Sequence, residues 1–126
     1  KGFKHAPFSK KGCVLFVKLH QFQADDKAHL LVDTQNTQWQ QGHGKLKVMS
    51  LHSHLTESTA LIFWPAGTKF QPHTHFGGEE IFVISGELID EFGRYPEGTW
   101  LRNPHASQHN PYTLVDTLIW VKVGHL

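Results

Sequence analysis

The amino-acid sequence predicts an all-β protein, a jelly-roll barrel built from many short strands. Runs rich in β-branched and aromatic residues recur at close intervals, with glycine- and proline-containing turns between them. No stretch shows a sustained 3.6-residue apolar period with helix caps. A jelly roll folds two sheets together and leaves few open edges, so it suits this pattern. The predicted strands are 46–51, 59–64, 69–75, 80–84, 88–90, 99–102, 112–115 and 118–123.

Turn signals mark the ends of these strands. The tripeptide Pro65-Ala-Gly67 separates the second strand from the third, and Ser85-Gly86 indicates a hairpin between the fourth and the fifth. Gly93-Arg-Tyr-Pro96 is interpreted as a turn after the fifth strand, and Asn103-Pro104 ends the sixth. The interior of a barrel closed in this way can hold a metal and a small ligand.

Length and composition fit one domain with a modest core. The chain has 126 residues, a formal net charge of +1 and 18% charged residues. This balance, without a basic run, argues against a nucleic-acid surface, and no apolar stretch is long enough for a membrane span. No signal-peptide pattern opens the sequence, and Cys13 is the single cysteine. We therefore expect a cytoplasmic location, and we expect Cys13 to be a buried structural thiol within its apolar run.

Three histidines and a glutamate predict a metal site. His73 and His75 are two positions apart, so in a strand both imidazoles project from the same face. Gly77-Gly78 permits a bend, after which Glu79 keeps the same parity, and His109 would arrive from another hairpin. Imidazole and carboxylate donors suit a divalent transition metal better than calcium or magnesium. Zinc and iron are the first expectations, and the same donors serve manganese and nickel.

The other histidines carry a weaker signal. With 11 histidines in the chain, one His-x-His pair is expected by chance. His52-Ser-His54 lies in a polar stretch without glycines, so we interpret it as a solvated strand end or turn. His105 shares the parity of His109 and could face the cavity, but a turn residue exposed to water is the favoured interpretation.

Several charged and aromatic residues are assigned to the scaffold. Glu80 should point away from the metal and form a structural ion pair, with Arg94 or Arg102 as its partner. Asp90 and Glu91 could suggest acid–base work, but a solvated turn is the better interpretation. Core packing is the default for the large aromatic residues that could also line the cavity. These are Phe63, Trp64, Trp100 and Trp120.

The metal-site residues carry a resemblance to the cupin superfamily. Its first motif, Gly-x5-His-x-His-x3-Glu-x6-Gly, is matched at every specified position. The matching residues are Gly67, His73, His75, Glu79 and Gly86. The second motif, Gly-x5-Pro-x-Gly-x2-His-x3-Asn, is met by Gly98, Pro104 and His109, whereas Ala106 replaces its glycine and Thr113 its asparagine. The resemblance implies a cupin double-stranded β-helix in which His73, His75, Glu79 and His109 are metal ligands.

Three shorter stretches indicate a particular group within the cupin superfamily. The resemblance covers roughly residues 36 to 126. The three stretches are His75-x-Gly-Gly-Glu-Glu80, Asp90-Glu-Phe-Gly-Arg-Tyr-Pro96 and Arg102-Asn-Pro104. They look like the cupin domain of ChrR-type anti-sigma factors, a group that also resembles acetylacetone-cleaving cupin dioxygenases. In the ChrR family a separate N-terminal zinc domain contacts the sigma factor, and the single cysteine of this sequence cannot supply it. The resemblance implies the fold and the ligands but not anti-sigma activity.

An internal repeat suggests tandem domains. His5 falls on His109, and Val14-Leu-Phe-Val-Lys-Leu19 falls on Leu118-Ile-Trp-Val-Lys-Val123 without a gap. Two unrelated strands of similar composition are the alternative. On the tandem interpretation, residues 1–24 are the last strand of a preceding cupin repeat and His5 is a ligand of that repeat. Residues 25–44 then form a connector, and residues 45–126 form the cupin domain.

Two functions from different classes fit these expectations. The first is a small-molecule metalloenzyme of dioxygenase type that acts on carbonyl or dicarbonyl compounds. The second is a metal-bound sensory or regulatory module without catalysis, as the ChrR resemblance implies. A metal site that serves stability alone is a third possibility. The partners we expect are a small-molecule ligand and a second copy in a homodimer, because an exposed leftover strand is a template for pairing. We expect neither nucleic acid nor membrane as a partner, and the sequence assigns no catalytic residue.

Overall fold

The computed structural model describes residues 4–126, which fall into two units. The first unit ends at Leu30, and the second spans Leu31–Leu126. Within residues 4–126, no helix has the length and apolar character that crossing a membrane requires. All four predicted metal ligands lie in the second unit.

The first unit has neither helix nor strand among its described residues 4–30. Its apolar run is exposed, with 99% of Val14 and 65% of Leu15 accessible to solvent, and Cys13 is exposed as well. The predicted burial of the Cys13 thiol is therefore wrong. An apolar run buries its side chains when it joins a packed sheet, and residues 13–19 belong to no sheet. The division into residues 1–24, 25–44 and 45–126 stays a prediction.

The second unit confirms the all-β prediction. Its strands are short, as in most β proteins, and they are joined by tight turns. The strands are β1 (Gln40–Gln41), β2 (Lys47–His54), β3 (Glu57–Trp64), β4 (His73–Thr74), β5 (Glu79–Ser85), β6 (Glu87–Asp90), β7 (Gly93–Pro96), β8 (Trp100–Asn103), β9 (Gln108–His109) and β10 (Thr117–Val123).

The strands form one large sheet and two small ones. The large sheet has the order β1-β2-β3-β10-β5-β8, and every pairing in it is antiparallel. Strands β4 and β9 pair with each other, and so do β6 and β7. The chain therefore crosses between sheets several times, which brings residues distant in sequence to the same end of the barrel.

Three predicted elements differ from the structure. The expected strand 69–75 is reduced to the two residues of β4, and 112–115 is not a strand. Instead, Tyr112 forms isolated bridges with Lys69 and Ile89. The segment Gly93–Pro96, expected to be a turn, is strand β7, because it pairs in register with β6 from Glu87↔Pro96 to Asp90↔Gly93. Gly93 and Pro96 stand at the ends of β7, where they interrupt little of the hydrogen-bond ladder.

The core lies on one face of the large sheet. On β5, Ile81 and Val83 are buried, and they stand opposite Val121 and Ile119 of β10. Burying an aliphatic side chain of this size stabilises the fold by about 1.5–3 kcal/mol. Of the four aromatic residues assigned to core packing, Trp64 is buried at 4% exposure, whereas Trp100 is half exposed on β8.

Candidate metal centre

Strands β4, β5 and β9 place the predicted ligands. His73 on β4 pairs in register with His109 on β9, so their backbones are direct neighbours. His75 follows β4, and its backbone N–H donates a hydrogen bond to the carbonyl of Ser107 at 3.0 Å. Glu79 opens β5. Backbone pairing therefore holds the predicted ligands from two regions of the sequence next to one another.

The bend between His75 and Glu79 requires glycine. Gly77 and Gly78 have φ angles of 80° and 69°, a region that side chains disfavour. A Cβ atom on Gly77 would lie 2.7 Å from the Cα atom of Gly124. This confirms the bend that the sequence predicted, and it lets Glu79 return to the same cavity as the histidines.

Ala106 keeps the geometry of the glycine that it replaces in the second motif. Its φ angle is 62°, one of three positive values at non-glycine residues within the described part of the chain. Its N–H donates to the carbonyl of His75 at 2.9 Å. The left-handed conformation costs an alanine roughly 1–2 kcal/mol, so the turn is retained in spite of the substitution.

The four predicted ligands converge on one point. One donor atom from each of His73, His75, Glu79 and His109 can be chosen so that all lie within 4.8 Å of one another. The Nε2 atoms of His75 and His109 lie 3.2 Å and 3.5 Å from Oε2 of Glu79. His75, Glu79 and His109 are buried, and His73 is partly buried. This is the only such cluster among residues 4–126.

Hydrogen bonds orient three of these side chains. The Nδ1 atom of His73 lies 3.1 Å from the carbonyl of Gln71, and a carbonyl only accepts, so Nδ1 donates and Nε2 keeps its lone pair. The Nδ1 atom of His109 lies 3.2 Å from the carboxylate of Asp90, which also only accepts, so this Nδ1 donates as well. Asn103 donates from Nδ2 to Oε2 of Glu79 at 2.9 Å.

Burial keeps the imidazoles of His73 and His75 neutral. Desolvation, followed by the neighbouring His73 and His109, lowers the pKa of His75 to about 4. Desolvation also lowers the pKa of His73. The pKa of Glu79 is raised, mainly by its burial, although the hydrogen bond from Asn103 opposes the shift. Near neutral pH His73 and His75 are therefore uncharged, as a metal ligand must be.

Two buried nitrogen atoms without a hydrogen-bond partner indicate that a cation fits this cluster. The Nε2 atoms of His75 and His109 are buried and have no hydrogen-bond partner. Their short distances to Glu79 lack hydrogen-bond geometry, so the carboxylate does not satisfy them. Buried polar atoms left unpaired are costly, and a divalent ion between them would remove that cost. The donor set fits a transition metal.

Asp90 lies beside this cluster, and its assignment to a solvated turn is wrong. Its carboxylate is 4% exposed and contacts His109. The β6–β7 hairpin folds the carboxylate inward, a long-range effect that the local sequence does not reveal. Glu91, next in sequence, is exposed as expected and accepts a hydrogen bond from the backbone of Asn110 at 2.9 Å.

The remaining sequence interpretations are mostly confirmed. His52 and His54 end strand β2 and lie outside the cluster. His105 is an exposed turn residue, and its Nδ1 accepts a hydrogen bond from the Gly77 N–H at 2.8 Å.

Glu80 points away from the cluster and pairs with Nε2 of His125 at 3.2 Å. The expected partner Arg94 instead pairs with Glu87, its neighbour across the β6–β7 hairpin, at 2.6 Å.

A pocket of about 480 Å³ opens beside His109. Its lining combines acidic, basic and amide side chains with one aromatic ring. The lining residues are Lys69, Pro72, Asp90, Glu91, Gln108, His109, Asn110 and Tyr112. Its volume is in the range of pockets that bind small molecules.

Comparison with solved structures places this fold among known cupins. The chain matches the anti-sigma factor ChrR, in its complex with SigE from Rhodobacter sphaeroides, at 20% identity and a TM-score of 0.66. This match covers 72% of the chain but 51% of the ChrR chain, so the sequence spans about half of that relative. An acetylacetone dioxygenase from Acinetobacter johnsonii matches at 16% identity and a TM-score of 0.67, over 85% of this chain and 80% of that one.

KdgF from a Halomonas species matches at 16% identity and a TM-score of 0.65, over 77% of this chain and 94% of that one. At these identities the likeness shows the fold alone. None of the curated protein sequences matches the chain. The model of one family, described as the ChrR Cupin-like domain, matches residues 27–126. The chain therefore belongs to the family of ChrR cupin-like domains.

Proposed function

We propose that the chain binds one divalent transition metal through His73, His75, Glu79 and His109, and that it catalyses a dioxygenase-type reaction on a small carbonyl or dicarbonyl compound. One observation carries the proposal. The Nε2 atoms of His75 and His109 are buried without a partner, and both face the carboxylate of Glu79. Iron and zinc are the first candidates for the ion, and manganese and nickel suit the same donors.

Iron in this site would supply open coordination positions and electrons for chemistry with dioxygen. The protein's part is to hold the ligands and to match the substrate's charge. Asn103 fixes Oε2 of Glu79, and Val123, opposite Glu79 in register, places an apolar side chain beside it. Three neutral imidazoles and one carboxylate around a divalent ion leave the site positively charged, so the enolate anion of a dicarbonyl compound is electrostatically complementary.

The pocket beside His109 is the proposed place for the rest of the substrate. Its volume of about 480 Å³ suits a small dicarbonyl compound. The Lys69 ammonium group at its wall can donate hydrogen bonds to a carbonyl or enolate oxygen. The acetylacetone dioxygenase of similar fold supports this choice of substrate class.

A sensory or regulatory module is the second candidate. The observation that favours it is the match of residues 27–126 to the ChrR cupin-like domain, together with the fold shared with ChrR in its complex with SigE. In this case metal or ligand binding would change the stability or partner affinity of the barrel without turnover, and zinc would suffice.

We further propose a cytoplasmic, tandem-cupin origin for the chain. Residues 45–126 would form the functional barrel, residues 25–44 a connector, and residues 1–24 a strand of a preceding cupin repeat. The exposed apolar run that begins at Val14 supports this assignment, because such a run needs a sheet to pair with. In the isolated chain, a second copy would supply that sheet and form a homodimer.

The enzymatic proposal predicts oxygen consumption by iron-loaded protein. When a small β-diketone is added, we expect turnover of roughly 1 s⁻¹ or more, and none from protein loaded with zinc, which has no redox chemistry. The measurement is an oxygen-electrode assay with both metal forms. Stoichiometric iron without oxygen consumption, combined with a diketone-dependent shift of the melting temperature, would instead support the sensory module.

A further inference from the structure

Four contacts hold the carboxylate of Asp90, which is not one of the proposed metal ligands. It is 4% exposed at the end of β6. Its Oδ1 accepts three hydrogen bonds, from the Tyr95 hydroxyl at 2.9 Å and from the N–H groups of Phe92 at 2.8 Å and Gly93 at 3.1 Å. Its Oδ2 lies 3.2 Å from Nδ1 of His109. One oxygen is thus anchored by the hairpin, and the other is directed at a proposed metal ligand.

This arrangement determines where His109 carries its proton. A carboxylate only accepts hydrogen bonds, so the contact requires a proton on Nδ1 of His109. The ring nitrogen left to bind a metal is then Nε2, which faces Glu79. A buried carboxylate is costly unless its oxygens are hydrogen-bonded, and the donors on Oδ1 meet that requirement.

We propose that Asp90 is the positioning residue of the centre: it fixes the tautomer and ring orientation of His109 so that Nε2 is directed at the metal. The Tyr95 hydroxyl in turn fixes Asp90. This inference rests on the proposed metal site, but its first effect, the choice of tautomer, is present in the metal-free protein.

Replacing Asp90 by asparagine reverses the hydrogen-bond pattern. The Tyr95 hydroxyl and the two backbone N–H groups all donate, so the amide oxygen of Asp90→Asn turns toward them. Its NH₂ group then faces Nδ1 of His109 and donates to it. The ring must accept at Nδ1, which moves its proton to Nε2, the atom that would bind the metal.

The test measures both the tautomer and the metal affinity at one neutral pH. Ring-nitrogen NMR of metal-free wild type should show His109 protonated at Nδ1, and Asp90→Asn should show it protonated at Nε2. Cobalt(II) affinity should fall roughly 10- to 100-fold in Asp90→Asn, with a changed visible spectrum of the bound cobalt. Tyr95→Phe, which keeps the carboxylate and removes one of its donors, should retain the wild-type tautomer and lose less affinity.

Glu97→Gln is the matched control, since Glu97 is an exposed carboxylate outside both the ligand cluster and the pocket beside His109. It should leave the tautomer and the cobalt affinity unchanged. An Asp90→Asn protein with wild-type tautomer and affinity would overturn the inference. If Asp90→Asn does not fold, an Nε2-protonated His109 in the wild type or in Tyr95→Phe would overturn it equally. Wild-type protein that binds no metal but shows the predicted tautomers would refute the metal site alone.

Discussion

Replacing His109 by alanine is expected to abolish tight metal binding while the barrel remains folded. His109 supplies the one proposed ligand that comes from β9, and its Nε2 lies 3.5 Å from Glu79. Loss of a group that merely orients a ligand typically costs 10–100-fold in affinity, so loss of the ligand itself should cost more than about 100-fold. A competitive titration with a chromophoric chelator measures the change for zinc, iron and cobalt.

The control for this experiment is His54→Ala. His54 belongs to the other His-x-His pair, at the end of β2 and outside the cluster. The His54→Ala variant should bind the metal with wild-type affinity, and circular dichroism should show that both variants keep their β structure. Equal metal affinity in His109→Ala and wild type would mean that the fourth ligand is misassigned.

The second large effect is expected at Gly86, in the hairpin between β5 and β6. Its φ angle is 81°, and a Cβ atom would lie 2.4 Å from the carbonyl oxygen of Asp116 and 2.8 Å from Cα of Thr117. Both neighbours are backbone atoms, which cannot turn aside as a flexible side chain can. Backbone strain and overpacking together predict that Gly86→Ala lowers the free energy of unfolding by about 2–5 kcal/mol.

Gly98→Ala separates the two contributions. Gly98 has a φ angle of 83°, but a Cβ atom there would meet nothing within 4 Å. Only the backbone strain remains, so the expected loss is about 1–2 kcal/mol. Urea unfolding of the two variants measures both values, and an unchanged m-value makes the comparison valid. If both substitutions cost the same, close packing is not the reason for glycine at position 86.

The sequence predicted that His73, His75, Glu79 and His109 would lie together, because local rules determine most of this cluster. Alternation along a strand places His73 and His75 on one face, and Gly77-Gly78 allows Glu79 to return. The position of His109 could not be predicted from local rules, because only the motif resemblance connected this residue with the other three across the barrel. The structure supplies the physical link, which is the backbone pairing of β4 with β9.

The burial of Asp90 could not be predicted from the local sequence. A carboxylate beside a turn is usually solvated, and nothing in Asp90-Glu-Phe-Gly indicates burial. Its environment depends on β7 folding back and on His109, 19 residues further along the chain. The prediction for Cys13 was wrong in the opposite direction, because this residue is exposed. Its apolar neighbours suggested burial, but burial needs a partner sheet, and the described part of the first unit forms none.

The most direct test of the proposed metal site is elemental analysis of the wild-type chain, expressed without an affinity tag and purified without chelating resin. We expect near-stoichiometric content of one divalent transition metal, zinc or iron before manganese or nickel. The result that would contradict it is protein that is folded, that carries no transition metal, and that still binds none after incubation with zinc, iron(II) and cobalt(II).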